Sequence, residues 1–318
     1  MPRLPLELRR AVTTALIRLG PANKLVLALL NRKCRQFGVS LTNRGDALSL
    51  RKDRREMLLA TKHFVYAPDM AERFDLYFDA LVPMESDGIL VLDYSRPGIL
   101  QTYARSGLQF RLASFPEEDE AIDSYFRYYT PAAGDIVFDV GAHCGVSTHR
   151  FAKLVGPAGR VISFEPDPVN FSLLVSNIEL HHLDNVLPLQ IAVAGTSGTA
   201  AFSCEESIGS GLMRQASRAS VGKVVMVETI TLEEAFRKWG PPIFCKIDIE
   251  GSEIEVISAS RDFLKSLRAC EFVLDTHHLV DGRFTDTRIE ALFRECGYET
   301  SSSVSGFKTT WARPLPNC

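Results

Sequence analysis

The stretch Ile136-Val-Phe-Asp-Val-Gly-Ala-His-Cys-Gly-Val-Ser147 decides the fold. Its first residues are apolar and β-favouring and lead into Asp139, after which Gly141 and Gly145 bracket a short turn. A helical pattern begins where the stretch ends. A buried strand, a glycine-rich turn and a helix N-terminus in this order are typical of a nucleotide-type binding site.

The spacing of the turn indicates the class of ligand. It is Asp-x-Gly-x-x-x-Gly rather than the dinucleotide motif Gly-x-Gly-x-x-Gly. The carboxylate of Asp139, two residues before Gly141, would repel a pyrophosphate but suits a ligand that carries an amino group or hydroxyls. The turn therefore favours S-adenosylmethionine over NAD or ATP.

A second acid supports this interpretation. The run Arg160-Val-Ile-Ser-Phe-Glu-Pro166 predicts the next strand and places Glu165 at its carboxyl end, 24 positions after Gly141. A carboxylate there can accept hydrogen bonds from both ribose hydroxyls. Alone, Asp139 could be a helix N-cap and Glu165 a solvated strand end. Together, at the ends of successive strands, they favour a cofactor site.

Composition excludes several classes of protein. The 318 residues are 46% hydrophobic and 24% charged, which is typical of a globular protein that is not membrane-embedded. The net charge of −3 gives no reason to expect a nucleic-acid partner. The seven cysteines form no Cys-x-x-Cys pair, so neither a disulfide framework nor a zinc site is indicated, and we expect a cytoplasmic location.

Residues 1–34 form a region of their own, predicted to be a basic amphipathic helix. They carry seven cations against the single acid Glu7, and their apolar residues recur at helical spacing. No apolar run there is long enough for a signal peptide or a membrane span. We expect the helix to pack on its own protein or on a sister subunit. Weak contact with an anionic membrane surface is the alternative.

Residues 35–115 predict a small α+β region that precedes the main domain, residues 116–318. In the smaller region we predict helices over Arg51–Ala60 and Met70–Leu81 and a strand over Gly88–Tyr94. From Asp135 onward strands and helices alternate, which predicts an α/β fold with a parallel sheet covered on both faces. The third, fourth and fifth strands and a closing hairpin are predicted at Asn185–Ala194, Ile243–Glu250, Glu271–His277 and Tyr298–Trp311. A Gly/Ser-rich loop, Ser207–Ser217, is either a lid over the substrate or an ordinary exposed loop.

The fourth strand carries charges where a central parallel strand is normally apolar. Period-2 alternation puts Lys246, Asp248 and Glu250 on one face. A buried charge is costly unless it is paired or functional, and Lys246 can neutralise one carboxylate but not two. Because Asp248 and Glu250 stand near the carboxyl end, where ligands bind in such sheets, we interpret both as active-site residues.

The fifth strand adds a histidine beside an acid. Asp275 and His277 share a face at the carboxyl edge, so His277 is a candidate general base for a hydroxyl. Alternatively, these two residues could hold a divalent metal such as Mg²⁺ or Mn²⁺ together with Asp248 and Glu250. We do not expect a metal, although the residues allow one. His278 is interpreted as a solvated loop residue.

Several motifs in order resemble one family. Asp139-Val-Gly-Ala-His-Cys-Gly145, Phe164-Glu-Pro166, Asn177, Ala192-Val193 and Lys246-Ile-Asp-Ile-Glu-Gly-Ser-Glu253 are similar to the FkbM-type S-adenosylmethionine-dependent methyltransferases, over roughly residues 116–312. The resemblance implies a class I methyltransferase fold, a Rossmann-like sheet of seven mostly parallel strands with the last one reversed. It also implies methylation of a hydroxyl, often on a sugar or polyketide.

The resemblance also assigns site residues. It implies that Asp139, Gly141, Ala142, Gly145, Glu165 and Ala192 bind the cofactor, and that Asp248 and Glu250 flank its methyl group. Two positions depart from the family: His143 stands where Asn is usual, and Asp275 where Glu is usual.

The predicted function is S-adenosylmethionine-dependent O-methylation of a sugar, glycan or secondary metabolite. One alternative is a binding protein that keeps the fold without catalysis. It would not need the charged strand. The other is a nicotinamide oxidoreductase, which the missing dinucleotide motif opposes.

Overall fold

The computed structural model describes residues 15, 17–115, 119–204, 210–212, 223–267, 269–280, 283–303 and 307–316. The chain divides into two compact units, and the main boundary follows residue 116. Most of the predicted basic helix, residues 1–14 and 16, lies outside the described residues. In the part of the chain that is described, no helix has the length and apolarity needed to cross a membrane.

The first unit is an α+β structure with a five-stranded sheet. Its helices are α1 (Lys24–Cys34), α2 (Ala67–Glu72) and α3 (Phe74–Ala80), with 3₁₀ turns at Arg35–Phe37 and Thr61–Tyr66. Its strands are β1 (Ser40–Asn43), β2 (Ala47–Lys52), β3 (Arg55–Ala60), β4 (Met84–Ser86), β5 (Ile89–Tyr94), β6 (Ile99–Thr102) and β7 (Gln109–Leu112). The sheet order is β1-β2-β3-β5-β4, and β6 and β7 form a separate hairpin.

The predicted helix over Arg51–Ala60 is wrong, because this stretch contains the turn of the β2–β3 hairpin. Asp53 adopts a left-handed conformation, with φ of +54°, and reverses the chain. Met57 and Leu59 then point into the core and are fully buried, as alternate residues of a strand do. The predicted helix over Met70–Leu81 is present as α2 and α3.

The second unit holds the long alternation of strands and helices. Its strands are β8 (Ile136–Val140), β9 (Arg160–Phe164), β10 (Val186–Leu189), β11 (Ala192–Val193), β12 (Gly198–Cys204), β13 (Gly211–Leu212), β14 (Lys223–Ile230), β15 (Phe244–Ile247), β16 (Glu271–Asp275), β17 (Leu279–Val280), β18 (Arg283–Phe284), β19 (Tyr298–Ser302) and β20 (Thr309–Pro314). Its helices are α4 (Asp119–Ser124), α5 (Val146–Val155), α6 (Pro168–Leu180), α7 (Leu232–Trp239), α8 (Glu253–Ala259), α9 (Arg261–Ser266) and α10 (Asp286–Glu295).

The main sheet has seven strands in the order β10-β9-β8-β15-β16-β20-β19. The first five are mutually parallel, and β20 runs antiparallel to both of its neighbours. This reversed last strand in a mostly parallel sheet confirms the predicted class I methyltransferase fold. A second, four-stranded sheet has the order β11-β14-β12-β13.

Both faces of the main sheet are covered, as the alternation predicted. Phe138 belongs to the apolar cluster on one face, and its chain neighbour Val137 to the cluster on the other. The first cluster includes Phe236 of α7 and Phe293 of α10, and the second includes Phe151 of α5. The core therefore fixes the sheet and leaves its carboxyl edge to carry polar side chains.

Three predicted strand bounds need correction. The third strand is divided, because β10 belongs to the main sheet and β11 to the second one. The fourth strand ends at Ile247, so the period-2 pattern does not extend to Glu250, whose φ is +56°. The fifth ends at Asp275 rather than His277. Of the proposed lid loop, only residues 210–212 lie among those described.

Candidate active site

The turn that follows β8 is fixed by hydrogen bonds to three side chains from other elements. The ammonium of Lys246 donates a hydrogen bond to the Gly141 carbonyl at 2.6 Å. Asn177 on α6 donates to the Cys144 carbonyl at 2.8 Å, and the His143 N–H donates to Glu165 Oε2 at 2.8 Å. Side chains from β15, α6 and the end of β9 thus fix the conformation of one short loop.

Neighbouring atoms and backbone conformation explain why glycines occupy positions 141 and 145 of this turn. A Cβ at Gly141 would lie 1.7 Å from the Asp248 carbonyl oxygen, and one at Gly145 would lie 2.6 Å from Leu174 Cδ1. Both glycines have positive φ. His143 is also left-handed, with φ of +49°. Asn and His are both enriched in that conformation, which explains how His143 can replace the Asn usual in the family.

Asp139 lies in the centre of the sheet with no exposed side-chain surface. Its Oδ1 is 3.2 Å from Lys246 Nζ, which is equally buried. Its Oδ2 accepts hydrogen bonds from Ser147 at 2.9 Å and Thr148 at 2.6 Å at the start of α5. The ion pair that Lys246 forms is therefore with a carboxylate on the neighbouring strand. Asp139 ties β8 to β15 and to the helix after the turn.

Glu165 lies at the end of β9 and is 95% buried (5% exposed). Its Oε2 accepts from His143 N, and its Oε1 accepts from Asp167 N at 2.9 Å. Burial raises the pKa of this carboxyl to about 7. Each oxygen has two acceptor sites, so both can accept one more hydrogen bond. A pair of neighbouring hydroxyls would supply the two donors.

The two small residues assigned by resemblance are both buried. Ala142 lies inside the turn with no exposed surface, and Ala192 lies in β11 of the second sheet with 4% exposed.

The segment after β15 forms a tight turn that presents two acids. Glu253 is fully buried, and its Oε1 accepts the N–H groups of Ile249 and Gly251, both at 3.1 Å. These two bonds hold Glu250 in its left-handed conformation. Asp248 is positioned separately, because the Tyr125 hydroxyl donates to its Oδ2 at 3.1 Å.

His278 lies against these acids, so its interpretation as a solvated residue is wrong. Its side chain is 9% exposed, with Nε2 3.5 Å from Glu250 Oε1 and 4.0 Å from Asp248 Oδ1. Its Nδ1 is 3.2 Å from Glu253 Oε1. The chain turns at the end of β16, where His277 N donates to Asp275 Oδ1 at 2.9 Å. Strand alternation stops there, which is why sequence spacing could not identify His278.

Of the two neighbouring histidines, His277 is the exposed one, with 52% of its side chain accessible to solvent. Its Nδ1 contacts Asp275 Oδ1. Burial opposes the charge of His277, but the hydrogen bond that its imidazole donates to Asp275 outweighs the effect of burial and raises the histidine's pKa. Burial likewise acts against the charge of Asp275, yet the same bond lowers that pKa. The two residues therefore form an acid–base pair at the rim of the sheet.

Burial and neighbouring charges also shift the pKa values of Asp248, which follows β15, and of His278 beside it. Burial, reinforced by the charge of Asp275, raises the pKa of Asp248 to about 7. Burial opposes the charge of His278, but the carboxylates of Glu250 and Glu253 raise its pKa well above the ordinary value. Two groups of side chains have ligand atoms within 4.8 Å of one another: Asp248, Glu250 and His278, and Asp275, His277 and His278.

Residues 139–300, just over half of the chain, match the family model described as the methyltransferase FkbM domain. A curated relative, the hexuronic acid methyltransferase AglP of Haloferax volcanii, is 27% identical over 149 residues. That match covers 46% of this chain and 58% of the relative, so this chain spans little more than half the length of that protein. The match is to methyltransferases rather than to nicotinamide oxidoreductases.

Solved structures with a similar fold include a precorrin-6y C5,15-methyltransferase from Geobacter metallireducens. Its TM-score is 0.43 and its sequence identity 14%, and the match covers 64% of this chain and 95% of that one. Fibrillarin from Aeropyrum pernix, solved with S-adenosyl-L-methionine, has a TM-score of 0.39 and 13% identity, covering 86% of this chain and 97% of that one. The strand order β10-β9-β8-β15-β16-β20-β19 itself shows the fold.

Proposed function

The chain belongs to the FkbM methyltransferase family, and from this premise we propose that it transfers a methyl group from S-adenosylmethionine to a hydroxyl of a sugar. The observation that carries the proposal is Glu165, a buried carboxylate with two remaining acceptor sites beside a rigid glycine turn. The sugar is proposed because the curated relative acts on a hexuronic acid.

The residues around the turn fit the cofactor. Glu165 would accept hydrogen bonds from the two ribose hydroxyls, which suits a buried carboxylate whose two hydrogen-bond donors among the described residues are backbone N–H groups. Gly141, Ala142 and Gly145 contribute no large side chain of their own to the adjoining turn, and Ala192 contributes none to β11. Asp139 would act indirectly, by fixing the turn through Lys246 and the start of α5.

When bound, S-adenosylmethionine supplies an electrophilic methyl group on a sulfonium. The protein's task is then to align the acceptor hydroxyl and to take up its proton. Orientation can supply most of the rate, because it converts an encounter of two molecules into a step within one complex. Asp248 and Glu250, at the carboxyl edge of the sheet, would orient the hydroxyl. His277, exposed and hydrogen-bonded to Asp275, would accept its proton.

Calorimetry on the full chain with S-adenosylmethionine and with NAD tests the cofactor. A transfer assay with a methyl-labelled cofactor, on hexuronic acids and on neutral sugars, tests the acceptor. We expect binding of S-adenosylmethionine only, and label in at least one of the sugars. Binding of NAD alone would overturn the cofactor assignment, and label absent from every sugar would overturn the acceptor class.

A further inference from the structure

We propose that Asp248, Glu250 and His278 form a binding site for one divalent cation. The three side chains come from the turn after β15 and the segment after β16 and meet at the carboxyl edge of the sheet. His278 Nε2 is 3.5 Å from Glu250 Oε1 and 4.0 Å from Asp248 Oδ1. Around an ion bound at about 2.1 Å, neighbouring ligand atoms lie about 3 Å apart and opposite ones about 4 Å. The observed separations therefore match the space that an ion needs.

The imidazole of His278 leaves room for a further ligand on its Nε2 side, between Asp248 and Glu250. The ring is nine-tenths buried, and among the described residues Nε2 makes no hydrogen bond of normal geometry, since its nearest carboxylate oxygen, Glu250 Oε1, is 3.5 Å away. Buried polar groups in proteins are almost always hydrogen-bonded, so such a group calls for an explanation. A cation on Nε2 would take the place of the ring proton that the neighbouring carboxylates favour there, and that proton would be released to solvent.

The other side of the imidazole has the arrangement usual for a metal-bound histidine. Nδ1 lies 3.2 Å from Glu253 Oε1. Metal ligands of this type commonly present their second nitrogen to a carboxylate, which fixes the ring and its tautomer. Glu253 also holds the turn through the N–H groups of Ile249 and Gly251, so the same carboxylate positions both Glu250 and His278.

The ligand types indicate which cations are suitable. Carboxylate oxygens suit Mg²⁺, Ca²⁺ and Mn²⁺, whereas imidazole suits the transition metals. A set of two carboxylates and one imidazole therefore favours Mn²⁺ over Mg²⁺ and Ca²⁺. If the proposed methyl transfer is correct, an ion here would bind the acceptor oxygen and make its hydroxyl easier to deprotonate. That role rests on the proposed function, whereas the site itself does not.

Manganese binding to the full chain tests the site directly. After dialysis against a chelator, Mn²⁺ is titrated in and the free ion is counted by electron paramagnetic resonance, without cofactor or sugar. We expect one bound Mn²⁺ per chain. Glu250→Gln and Asp248→Asn should each weaken binding at least about tenfold, and Glu253→Gln should do so by about 10–100-fold through the lost support of His278.

His277→Gln is the matched control, because His277 belongs to the alternative group with Asp275 and should leave Mn²⁺ affinity unchanged. Circular dichroism and chemical denaturation confirm that each variant is folded. Absence of Mn²⁺ binding at millimolar concentration, or a loss in His277→Gln but not in Glu250→Gln, would overturn the assignment. Mn²⁺ binding without methyl transfer would contradict the proposed function alone, and full transfer by the metal-stripped chain would contradict only the role of the ion.

Discussion

Lys246 and Asp139 face each other across two adjacent parallel strands, with 3.2 Å between the ammonium nitrogen and a carboxylate oxygen. Neither side chain has any exposed surface. Lys246 also donates to the Gly141 carbonyl, so one cation holds both the sheet and the turn. A charged residue in the middle of this sheet is thus explained by the conformation of the turn that follows β8.

Lys246→Met should destabilise the protein strongly, because it leaves the Asp139 carboxylate buried and without its cation. Breaking such a pair costs about 3–5 kcal/mol. Chemical denaturation followed by circular dichroism measures the loss. Lys265→Met is the control, since Lys265 pairs with Asp262 on the exposed face of α9 and should shift stability by less than about 1 kcal/mol. Equal effects of the two substitutions would contradict a structural role for the buried pair.

Gly141→Ala should disrupt the turn for two separable reasons. The left-handed conformation at φ of +81° costs an alanine about 1–2 kcal/mol. In addition, the new Cβ would lie 1.7 Å from the Asp248 carbonyl oxygen, so the backbone must move. We expect a loss of stability of at least about 3 kcal/mol, beyond the conformational cost alone. The loss is measured by chemical denaturation.

Gly134→Ala supplies the matched control for this substitution. Gly134 also has positive φ, of +92°, but no atom of the described residues lies within 4 Å of the position that a Cβ would take. It should therefore lose only the conformational part, about 1–2 kcal/mol. If Gly141→Ala cost no more than this control, the close approach to Asp248 would not be what requires the glycine.

The sequence allowed prediction of most of the fold, but only part of the site. Strand β8, the turn after it and α5 follow from the local pattern of residues 136–147. The β2–β3 hairpin does not follow from local pattern, since its turn depends on the left-handed conformation of Asp53, which no sequence pattern marks.

The group formed by Asp248, Glu250 and His278 could be predicted only in part, for a related reason. Asp248 and Glu250 were identified by their unusual place beside a buried strand. His278 was not identified, because its position depends on the turn that follows the end of β16 and on the contact of its Nδ1 with Glu253 Oε1. Both of these are contacts between distant parts of the chain. Patterns of period 2 and 3.6 carry no information about them.

Glu165→Gln should weaken S-adenosylmethionine binding by about 1–3 kcal/mol, the scale for a hydrogen bond lost from a buried polar group. The substitution keeps the size of the side chain but exchanges one acceptor oxygen for a donor nitrogen. Calorimetry measures the effect directly, and Glu255→Gln on the exposed face of α8 is the control. Unchanged affinity in Glu165→Gln would remove this carboxylate from the cofactor site.

The same carboxyl should make stability depend on pH. Its pKa is 4.5 when unfolded and about 7 when folded, because burial disfavours the charge. Between these values the unfolded chain binds fewer protons, so the free energy of unfolding falls as pH rises through this window. Glu165→Gln lacks this term. The stability of wild type relative to the variant should therefore decrease from pH 4.5 to 7 and then level off. A constant difference in denaturation across that range would contradict the raised pKa.

His277→Gln should reduce turnover while leaving cofactor binding intact. General-base catalysis contributes about 10²–10⁴-fold in typical enzymes, and His277 is the accessible base beside Asp275. The sulfonium is itself a reactive methyl donor, so we expect the lower end of that range, about 100-fold in kcat. Asp275→Asn should have a smaller effect in the same direction, because it removes only the group that orients the imidazole. Transfer kinetics on the sugar found to be labelled, with calorimetry of the cofactor in parallel, separate the two quantities. Full turnover in His277→Gln would mean that the hydroxyl proton leaves by another route, and Asp248 would become the next residue to test.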